Sequence, residues 1–300
     1  MAADIVGVGL AVIDLKATVS SIPGIEETVL TYDFHKHMGG PVANAIATLR
    51  RLGMKTQYMG VLGNDEYGNI IAENMKAEGI DTSSLRLDDD GASAFSIVLV
   101  DAGTKKRSIA FYPGSGLTVP ADCIDADAIA SAKLLHVDIY TPAVLAACDA
   151  AQAADVPISV DADALFPGLE DLLEKASIFI PAREIAEQLV GENDPAAAGK
   201  LIMEKYKLDL VVVTRGKDGS VTTTPDETVS VNGFPIDAVD TTGAGGVFQG
   251  AYLYGHLQGW PLERTATFAN AAAALMCSGM NGWDDIPTLE KVEDFLRARG

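Results

Sequence analysis

The sequence predicts a three-layer α/β/α fold with a mostly parallel central sheet and a small β-sheet lid. Short apolar runs with strand character alternate with helical patterns through most of the chain, which is typical of parallel-sheet α/β proteins. Two strand-like segments interrupt this alternation without helices of their own. The chain has 300 residues, 48% of them hydrophobic, so we expect one large core and a single domain over residues 1–300.

The elements of the main layer follow from the spacing of apolar residues. Compact apolar runs predict the sheet strands, and apolar residues recurring every three or four positions predict the helices. The strands are Asp4–Gly9, Gln57–Gly63, Leu134–Ile139, Ile158–Asp161, Ile178–Pro181 and Leu210–Thr214. The helices are Pro41–Leu52, Tyr67–Glu78, Ala143–Ala154, Ala196–Tyr206, Ala244–Leu257, Leu262–Ser278 and Leu289–Ala298.

The two interrupting segments predict a separate small sheet. Thr28–His37 has the pattern of one strand, and Ala94–Tyr112 that of a hairpin around the turn DAGTKKR. We expect lid strands near residues 15–37 and 92–115 to stand off the main layer and to serve as a lid or a dimer contact. An edge extension of the main sheet is the alternative.

The charge and the cysteines limit the class of partner. With 42 acidic and 22 basic residues the net charge is −20, which argues against nucleic acid or an anionic membrane surface as a partner. Cys123, Cys148 and Cys277 have no paired spacing, as expected in a reducing compartment. The first strand has no basic flank, and no apolar run approaches the ~20 residues of a membrane span. We therefore expect a cytoplasmic protein.

A glycine-rich turn at residues 239–250, VDTTGAGGVFQG, leads directly into a predicted helix. The N–H groups of a first helical turn have no partner within the helix and lie at the positive end of its dipole. Glycine lets an anion approach this backbone closely. Gly243, Ala244 and Gly245 are therefore predicted to form an anion hole suited to phosphate.

Four motifs in order resemble the ribokinase-like (PfkB) carbohydrate kinase family. Residues 240–245 read DTTGAG, where the family has DTTGAGD, and residues 38–44 read MGGPVAN, similar to its double-glycine motif. Residues 60–68 match GxxGxDxxG, and residues 213–219 match VTxGxxG. The resemblance covers nearly the whole chain. It implies an ATP- and Mg²⁺-dependent kinase that transfers the γ-phosphate to a hydroxyl of a small sugar, a ketose or a related compound.

The resemblance also implies two groups of binding residues. Sugar hydroxyls are expected to meet a carboxylate at the end of the first strand, the double glycine with its asparagine, and a carboxylate after a later strand; these residues are Asp14, Gly39, Gly40, Asn44 and Asp138. The nucleotide is expected to lie against a strand, its following turn and the penultimate helix, at Thr214, Gly216, Gly219, Asn270 and Ala273.

Metal binding is implied less directly. The family has an asparagine and a glutamate near its magnesium ion, but Ala182 and Ile185 stand there. Glu184 or Asp161 is then the candidate Mg²⁺ ligand, or the nucleotide holds the metal, which commonly keeps several waters. A monovalent cation such as K⁺ would be held by Asp240, Thr242 and the turn at residues 280–282.

The position of the family's catalytic base is Gly246. Loss of a general base costs ~10²–10⁴ in rate, so we expect this form to be inactive or very slow while still binding both ligands. Asp237 and Asp240 lie on the strand side of the turn and are not obvious replacements. Gly246 is either an introduced change in an active enzyme, which the intact remainder of the loop favours, or a natural change in a binding-only relative.

Other function classes fit less well. The Gly7-Val8-Gly9 sequence after a strand lacks the third glycine of a dinucleotide-binding motif, and the chain has no GxxxxGK[ST] loop. A non-catalytic sugar or nucleotide sensor is the main alternative. Lys105-Lys106-Arg107 could meet an anionic group of the substrate if the hairpin is a lid, or could be a solvated turn. A homodimer formed through the lid is implied by the resemblance alone.

Overall fold

The computed structural model describes residues 2–104 and 106–299. Its strands are β1 (Ile5–Val8), β2 (Val12–Val19), β3 (Thr31–Gly39), β4 (Thr56–Gly63), β5 (Leu85–Asp88), β6 (Phe95–Asp101), β7 (Arg107–Tyr112), β8 (Leu134–Val137), β9 (Ile158–Ala162), β10 (Ile178–Pro181), β11 (Leu210–Thr214), β12 (Ser220–Thr223) and β13 (Thr228–Val231). Its α-helices are α1 (Pro41–Arg51), α2 (Glu66–Ala77), α3 (Ala126–Ala130), α4 (Pro142–Ala153), α5 (Leu169–Leu173), α6 (Arg183–Val190), α7 (Pro195–Tyr206), α8 (Ala244–Leu257), α9 (Leu262–Cys277) and α10 (Leu289–Arg297).

The main sheet has nine strands in the order β13-β12-β11-β10-β9-β8-β1-β4-β5. All neighbours from β11 to β5 are parallel, whereas β12 runs antiparallel to both β11 and β13. Parallel strands end at the same edge of a sheet, where α/β proteins bind their ligands. The segments that follow β1, β8 and β9 therefore converge at this edge.

Helices cover both faces of the main sheet and enclose two apolar cores. One core lies between the sheet and α1, α2, α8, α9 and α10, and it contains Ile5, Tyr252 and Phe268. The other lies against α3 to α7 and contains Val160, Phe179 and Ile202. This arrangement confirms the predicted three-layer α/β/α fold.

The small sheet contains four strands in the order β3-β2-β6-β7 and is separate from the main sheet. The segment predicted as a hairpin forms β6 and β7, and the segment at residues 28–37 forms β3. Lys105, which was predicted to lie in the turn of a hairpin, lies outside the described residues. Between β2 and β6 the pairing is parallel, and the other two pairs are antiparallel.

The position of Asp14 differs from the prediction. We expected it at the end of the first strand, but β1 ends at Val8 and Asp14 is the third residue of β2, in the small sheet. The segment between the two strands leaves the main sheet, so a single apolar run on the sequence becomes two strands in different sheets. Short strands rich in Ser, Thr or charged residues, namely β5, β12 and β13, were also missing from the prediction.

Two further observations concern the environment of the chain. Cys123, Cys148 and Cys277 are unpaired, and the first two are buried. Within residues 2–104 and 106–299, no helix combines the length and the apolar character that crossing a membrane requires.

Candidate active site

The turn before α8 has the geometry of an anion hole. Gly243 precedes the helix with a φ of 80°, a left-handed conformation that favours glycine. The N–H of Thr242 donates to Asp240 Oδ1 at 2.9 Å and so closes the turn. Gly245 is exposed, so the first helical turn faces solvent at the positive end of its dipole. This backbone can accept a phosphate group.

Gly246 is a contact point between two helices. A Cβ at Gly246 would stand 2.6 Å from Asn44 Cβ and 2.8 Å from the carbonyl oxygen of Pro41, both in the first turn of α1. One turn later, a Cβ at Gly250 would meet Thr48 Cβ at 2.7 Å. The two glycines thus form a flat strip on α8 that lets α1 approach closely.

This contact explains why position 246 holds glycine in this chain. A carboxylate there would require α1 to move, because the atoms that block the Cβ include a backbone oxygen of that helix. In this packing, position 246 accepts glycine and no larger residue without a shift of α1. The glycine-rich turn keeps its phosphate-binding geometry without a carboxylate at its end.

Asp14 lies beside the double glycine, as the resemblance implied. Its buried carboxylate accepts a hydrogen bond from the Ser96 hydroxyl of β6, and a Cβ on Gly39 would collide with it. Burial raises the pKa of Asp14, partly offset by the bond from Ser96. Asp14 therefore stands between the small sheet and the start of α1, where it can accept hydroxyl protons.

Asn44 connects α1 to the anion hole. Its Oδ1 accepts a hydrogen bond from Trp283 Nε1 at 2.7 Å, and its Nδ2 lies 3.2 Å from the point where a Cβ on Gly243 would stand. The amide N–H groups are thus the part of Asn44 available to a ligand. Sequence reasoning missed Trp283, which fixes this orientation.

Asp138 connects two backbone segments, a structural role that was not predicted from the sequence. Its carboxylate accepts hydrogen bonds from the N–H of Leu10 at 2.9 Å and of Val42 at 3.1 Å. Burial raises the pKa of Asp138 to about 7, even though both N–H groups favour the charged form. Asp138 therefore ties the end of β1 to the first turn of α1, and its contact with a sugar stays a prediction.

Lys16 meets the carboxylate predicted to hold a monovalent cation. Its ammonium is 3% exposed and is paired with Asp240 Oδ2, while Asp240 Oδ1 is engaged by Thr242. Burial alone would raise the pKa of Asp240, but the bonds from Lys16 and Thr242 outweigh it and hold this pKa below its usual range. A K⁺ ion does not fit the predicted ligand set, because an ammonium already neutralises its carboxylate.

The candidate Mg²⁺ ligands do not form a metal site either. Glu184 is exposed at the start of α6 and pairs with Arg183, while Asp161 is only 1% exposed and burial raises its pKa well above the usual range. Ala182 has no ligand atom in its side chain. Across the described ranges, no group of three His, Cys, Asp or Glu side chains could hold a metal.

The residues expected to bind the nucleotide lie around β11, β12 and α9. Thr214 ends β11, and the turn of Gly216 and Gly219 follows it with left-handed φ at both glycines. Asn270 Nδ2 donates to Ser220 Oγ at 3.3 Å, which joins α9 to this turn. Ala273 is half-buried one helical turn further along α9. The structure thus brings these residues to one side of the sheet, next to α8.

Arg107 reaches the anion hole from the small sheet. Its Nη1 donates to Thr241 Oγ1 at 3.0 Å, although the two residues are 134 positions apart. Desolvation raises the pKa values of Asp14 and Asp163, and the charge of Arg107 partly opposes both shifts. A guanidinium is therefore available where the small sheet faces the phosphate-binding turn.

Comparisons with known proteins identify the family of this chain. The model of the pfkB family carbohydrate kinases matches residues 2–289, so the chain belongs to this family. A 5-dehydro-2-deoxygluconokinase of Geobacillus thermodenitrificans is 31% identical over 98% of this chain and 93% of the relative. The prediction of a ribokinase-like carbohydrate kinase is confirmed.

Solved structures confirm the fold. A ribokinase of Arabidopsis thaliana, in complex with ribose and ATP, superposes with a TM-score of 0.86 at 24% identity over 99% of both chains. An Escherichia coli protein described as ribokinase II, in complex with ATP and Mg²⁺, has a TM-score of 0.85 at 22% identity, again over 99% of both chains. At these identities the likeness is one of fold.

We expect Gly246→Ala to destabilise the protein by ~1–3 kcal/mol, because the new methyl group overpacks the contact between α1 and α8. Gly245→Ala is the matched control, since its Cβ would meet only Asp163 Oδ1, at an ordinary 3.5 Å. Urea unfolding measures both. Equal stability of Gly246→Ala and the wild type would contradict the packing account.

Replacing K⁺ with tetramethylammonium at constant ionic strength should leave the thermal unfolding midpoint of the wild type unchanged, because Lys16 supplies the cation. Lys16→Met leaves the Asp240 carboxylate unpaired, which costs ~3–5 kcal/mol for a buried pair, and K⁺ should then raise the midpoint. Specific stabilisation of the wild type by K⁺ would show that a metal ion, and not Lys16, neutralises Asp240.

Proposed function

We propose that this chain transfers the γ-phosphate of ATP to a hydroxyl of a small keto sugar acid, with 5-dehydro-2-deoxygluconate as the first candidate. The observation that carries this proposal is the hydrogen bond from Arg107 to Thr241, 3.0 Å long, which joins a cation of the small sheet to the phosphate-binding turn. A sugar acid has a carboxylate that a guanidinium can bind through two hydrogen bonds. The relative described as a 5-dehydro-2-deoxygluconokinase supports the same substrate class.

Different groups of site residues bind the two substrates. The first turn of α8 binds the γ-phosphate, and the residues around β11, β12 and α9 bind the rest of the nucleotide. Asp14 and the amide of Asn44 accept and donate hydrogen bonds to the sugar hydroxyls. Mg²⁺ arrives with ATP and neutralises phosphate charge when bound. In this proposal, the Lys16 ammonium takes the place of the monovalent cation that the resemblance implies.

Phosphoryl transfer depends mainly on positioning and charge stabilisation, which the retained anion hole supplies. An oxygen of the sugar hydroxyl attacks the γ-phosphorus, the bond to the β-phosphate oxygen breaks, and ADP leaves. The hydroxyl proton has no acceptor at position 246, so turnover through that position is absent and the rate is low unless another carboxylate takes the proton.

A sugar or nucleotide sensor is the second candidate function. It is favoured by one observation, the close packing of Gly246 against α1, which removes the base position without disturbing the ligand-binding residues. A sensor would bind ATP and a sugar without releasing ADP. The unpaired cysteines support a reducing compartment for either function, and we place the protein in the cytoplasm.

With Mg·ATP, the protein should release ADP about 10–100-fold more efficiently with 5-dehydro-2-deoxygluconate than with ribose or fructose. A charge-assisted hydrogen bond to the substrate carboxylate is worth ~1.5–3 kcal/mol, which corresponds to that ratio. A coupled assay of ADP release measures kcat/KM for each sugar. Binding of both ligands without ADP release would favour the sensor.

The variant Arg107→Met tests whether the substrate is a sugar acid, independently of whether the chain is a kinase. It should raise KM for the sugar acid ~10-fold or more and leave KM for a neutral sugar nearly unchanged, because only the acid has a carboxylate to pair. Lys106→Met, in the same turn, is the matched control. Equal effects of Arg107→Met on both sugars would contradict a sugar acid as substrate.

We also propose that the small sheet closes over the sugar and joins two copies of the chain. The face of this sheet that points away from Asp14 exposes apolar side chains, with Tyr32 63% and Phe34 55% exposed on β3 and Ile97 44% exposed on β6. Contiguous exposed apolar patches of this kind mark interaction surfaces. A homodimer would cover them.

Phe34→Asp should convert the homodimer to a monomer in sedimentation velocity, because a buried unpaired carboxylate is costly at an apolar interface. Ile25→Asp, at a fully exposed residue outside the small sheet, should leave the dimer intact. A wild-type protein that stays monomeric at high micromolar concentration would contradict the proposal.

A further inference from the structure

A carboxylate that the resemblance does not assign stands at the start of α8. Asp163, on the loop after β9, has its Oδ1 3.5 Å from the point where a Cβ on Gly245 would lie. Gly245 immediately precedes Gly246, the position that lacks the base. The Asp163 side chain is exposed on the same side as the exposed first turn of α8. A substrate held at the anion hole can therefore reach this carboxylate.

A second observation beneath Asp163 points to the same place. Asp161 is 1% exposed, and neither of its carboxylate oxygens has a hydrogen-bond partner; Oε1 of Gln249, one turn into α8, is also buried without a partner. The Gln249 side chain also acts on the Asp161 carboxylate, whose pKa it lowers, so the two buried groups lie close together beneath the start of α8. Buried polar groups in proteins are normally satisfied, so such a cluster indicates a functional site.

The two carboxylates differ in environment. Burial, with the charges of Asp163 and Asp138 added, raises the pKa of Asp161 well above its usual range. The protein atoms around Asp163 displace part of its hydration and so raise its pKa as well, but the Arg107 guanidinium opposes that shift. When two neighbouring carboxylates compete for one proton, the more buried one retains it. Asp161 therefore keeps a proton to higher pH than Asp163 does.

The other carboxylates around the site are committed elsewhere. Asp14 accepts a hydrogen bond from the Ser96 hydroxyl, and Asp138 accepts hydrogen bonds from two backbone N–H groups. Asp240 forms an ion pair with Lys16. Each of them has a partner that would compete for the lone pairs needed to accept a proton. Asp163 has no hydrogen bond of this kind among the described contacts, so its oxygens are available.

We propose that Asp163 is the general base of the phosphoryl transfer and takes the place of the carboxylate missing at position 246. This inference rests on the proposed kinase function. As the substrate oxygen forms its bond to the γ-phosphorus and the bond to the ADP oxygen breaks, the hydroxyl proton moves to Asp163. The proton then leaves to solvent, to which this side chain is open.

Asp163→Asn should lower kcat ~10²–10⁴-fold with Mg·ATP and the sugar acid, while the affinities for sugar acid and ADP change less than about threefold, because an amide cannot accept the proton. Asp237→Asn, an exposed carboxylate on the strand side of the turn, is the matched control and should keep the wild-type rate. Unfolding midpoints of all variants confirm that they are folded.

Two further readouts separate a base from a residue that only shapes the loop. The wild-type kcat should rise with pH as Asp163 ionises, and this acid limb should be absent in Asp163→Asn. Formate, a small carboxylate, should restore part of the activity of Asp163→Ala and none to the Asp237→Asn control. If Asp163 only positioned other groups, formate would not restore the activity of Asp163→Ala.

The outcomes distinguish this inference from the proposed function. A wild type that releases ADP, together with an Asp163→Asn variant within threefold of its kcat, overturns Asp163 as the base and leaves the kinase intact. A wild type that binds ATP and every tested sugar without releasing ADP overturns the kinase function, and the base assignment with it.

Discussion

The close approach of α1 to α8 is the contact on which the candidate site depends. Gly246 and Gly250 present bare backbone to α1, and the backbone and side chains of Pro41, Asn44 and Thr48 fill the space that two Cβ atoms would need. The same contact sets Asn44 beside Gly243 and hence beside the anion hole. The proposed phosphate-binding turn and the helix contact therefore share one surface, and a side chain at position 246 would collide with α1.

Two cationic side chains lie near this contact, although the chain as a whole is strongly acidic. The protein carries a net charge of −20, yet it brings Lys16 and Arg107 from the small sheet to the phosphate-binding turn. Lys16 is buried and neutralises Asp240, whereas Arg107 stays exposed and hydrogen-bonds Thr241. In the proposed function, the backbone N–H groups of this turn and the Arg107 guanidinium attract the negative charge of the substrates locally, without a basic surface.

Much of the architecture could be predicted from the sequence, because apolar periodicity and glycine-rich turns are local signals. Helices α1, α8 and α9 agree with the prediction to within one residue at each end. The division of residues 4–19 between two sheets could not be predicted, since a turn inside an apolar run has no composition of its own. Long-range pairs such as Lys16 with Asp240 also leave no local pattern.

The missing base at position 246 could be predicted from the sequence, but its packing environment could not. A motif comparison identifies Gly246 as a departure, but only the structure shows that α1 fills the space. The four-residue spacing of Gly246 and Gly250 is the signal that could have indicated a helix contact. The sequence also shows two aspartates close together, Asp161 and Asp163. Their proximity to Gly245 could not be predicted, because it depends on the order of the strands in the main sheet.

In the proposed kinase, the first turn of α8 binds phosphate, α1 closes position 246 and Asp163 accepts the proton. A crystal structure with a non-hydrolysable ATP analogue and the sugar acid tests it most directly. We expect the γ-phosphate on the first turn of α8, α1 still in contact with Gly246, and the acceptor hydroxyl within hydrogen-bond distance of Asp163. An acceptor hydroxyl bonded to a different carboxylate, or α1 withdrawn from Gly246, would contradict the account.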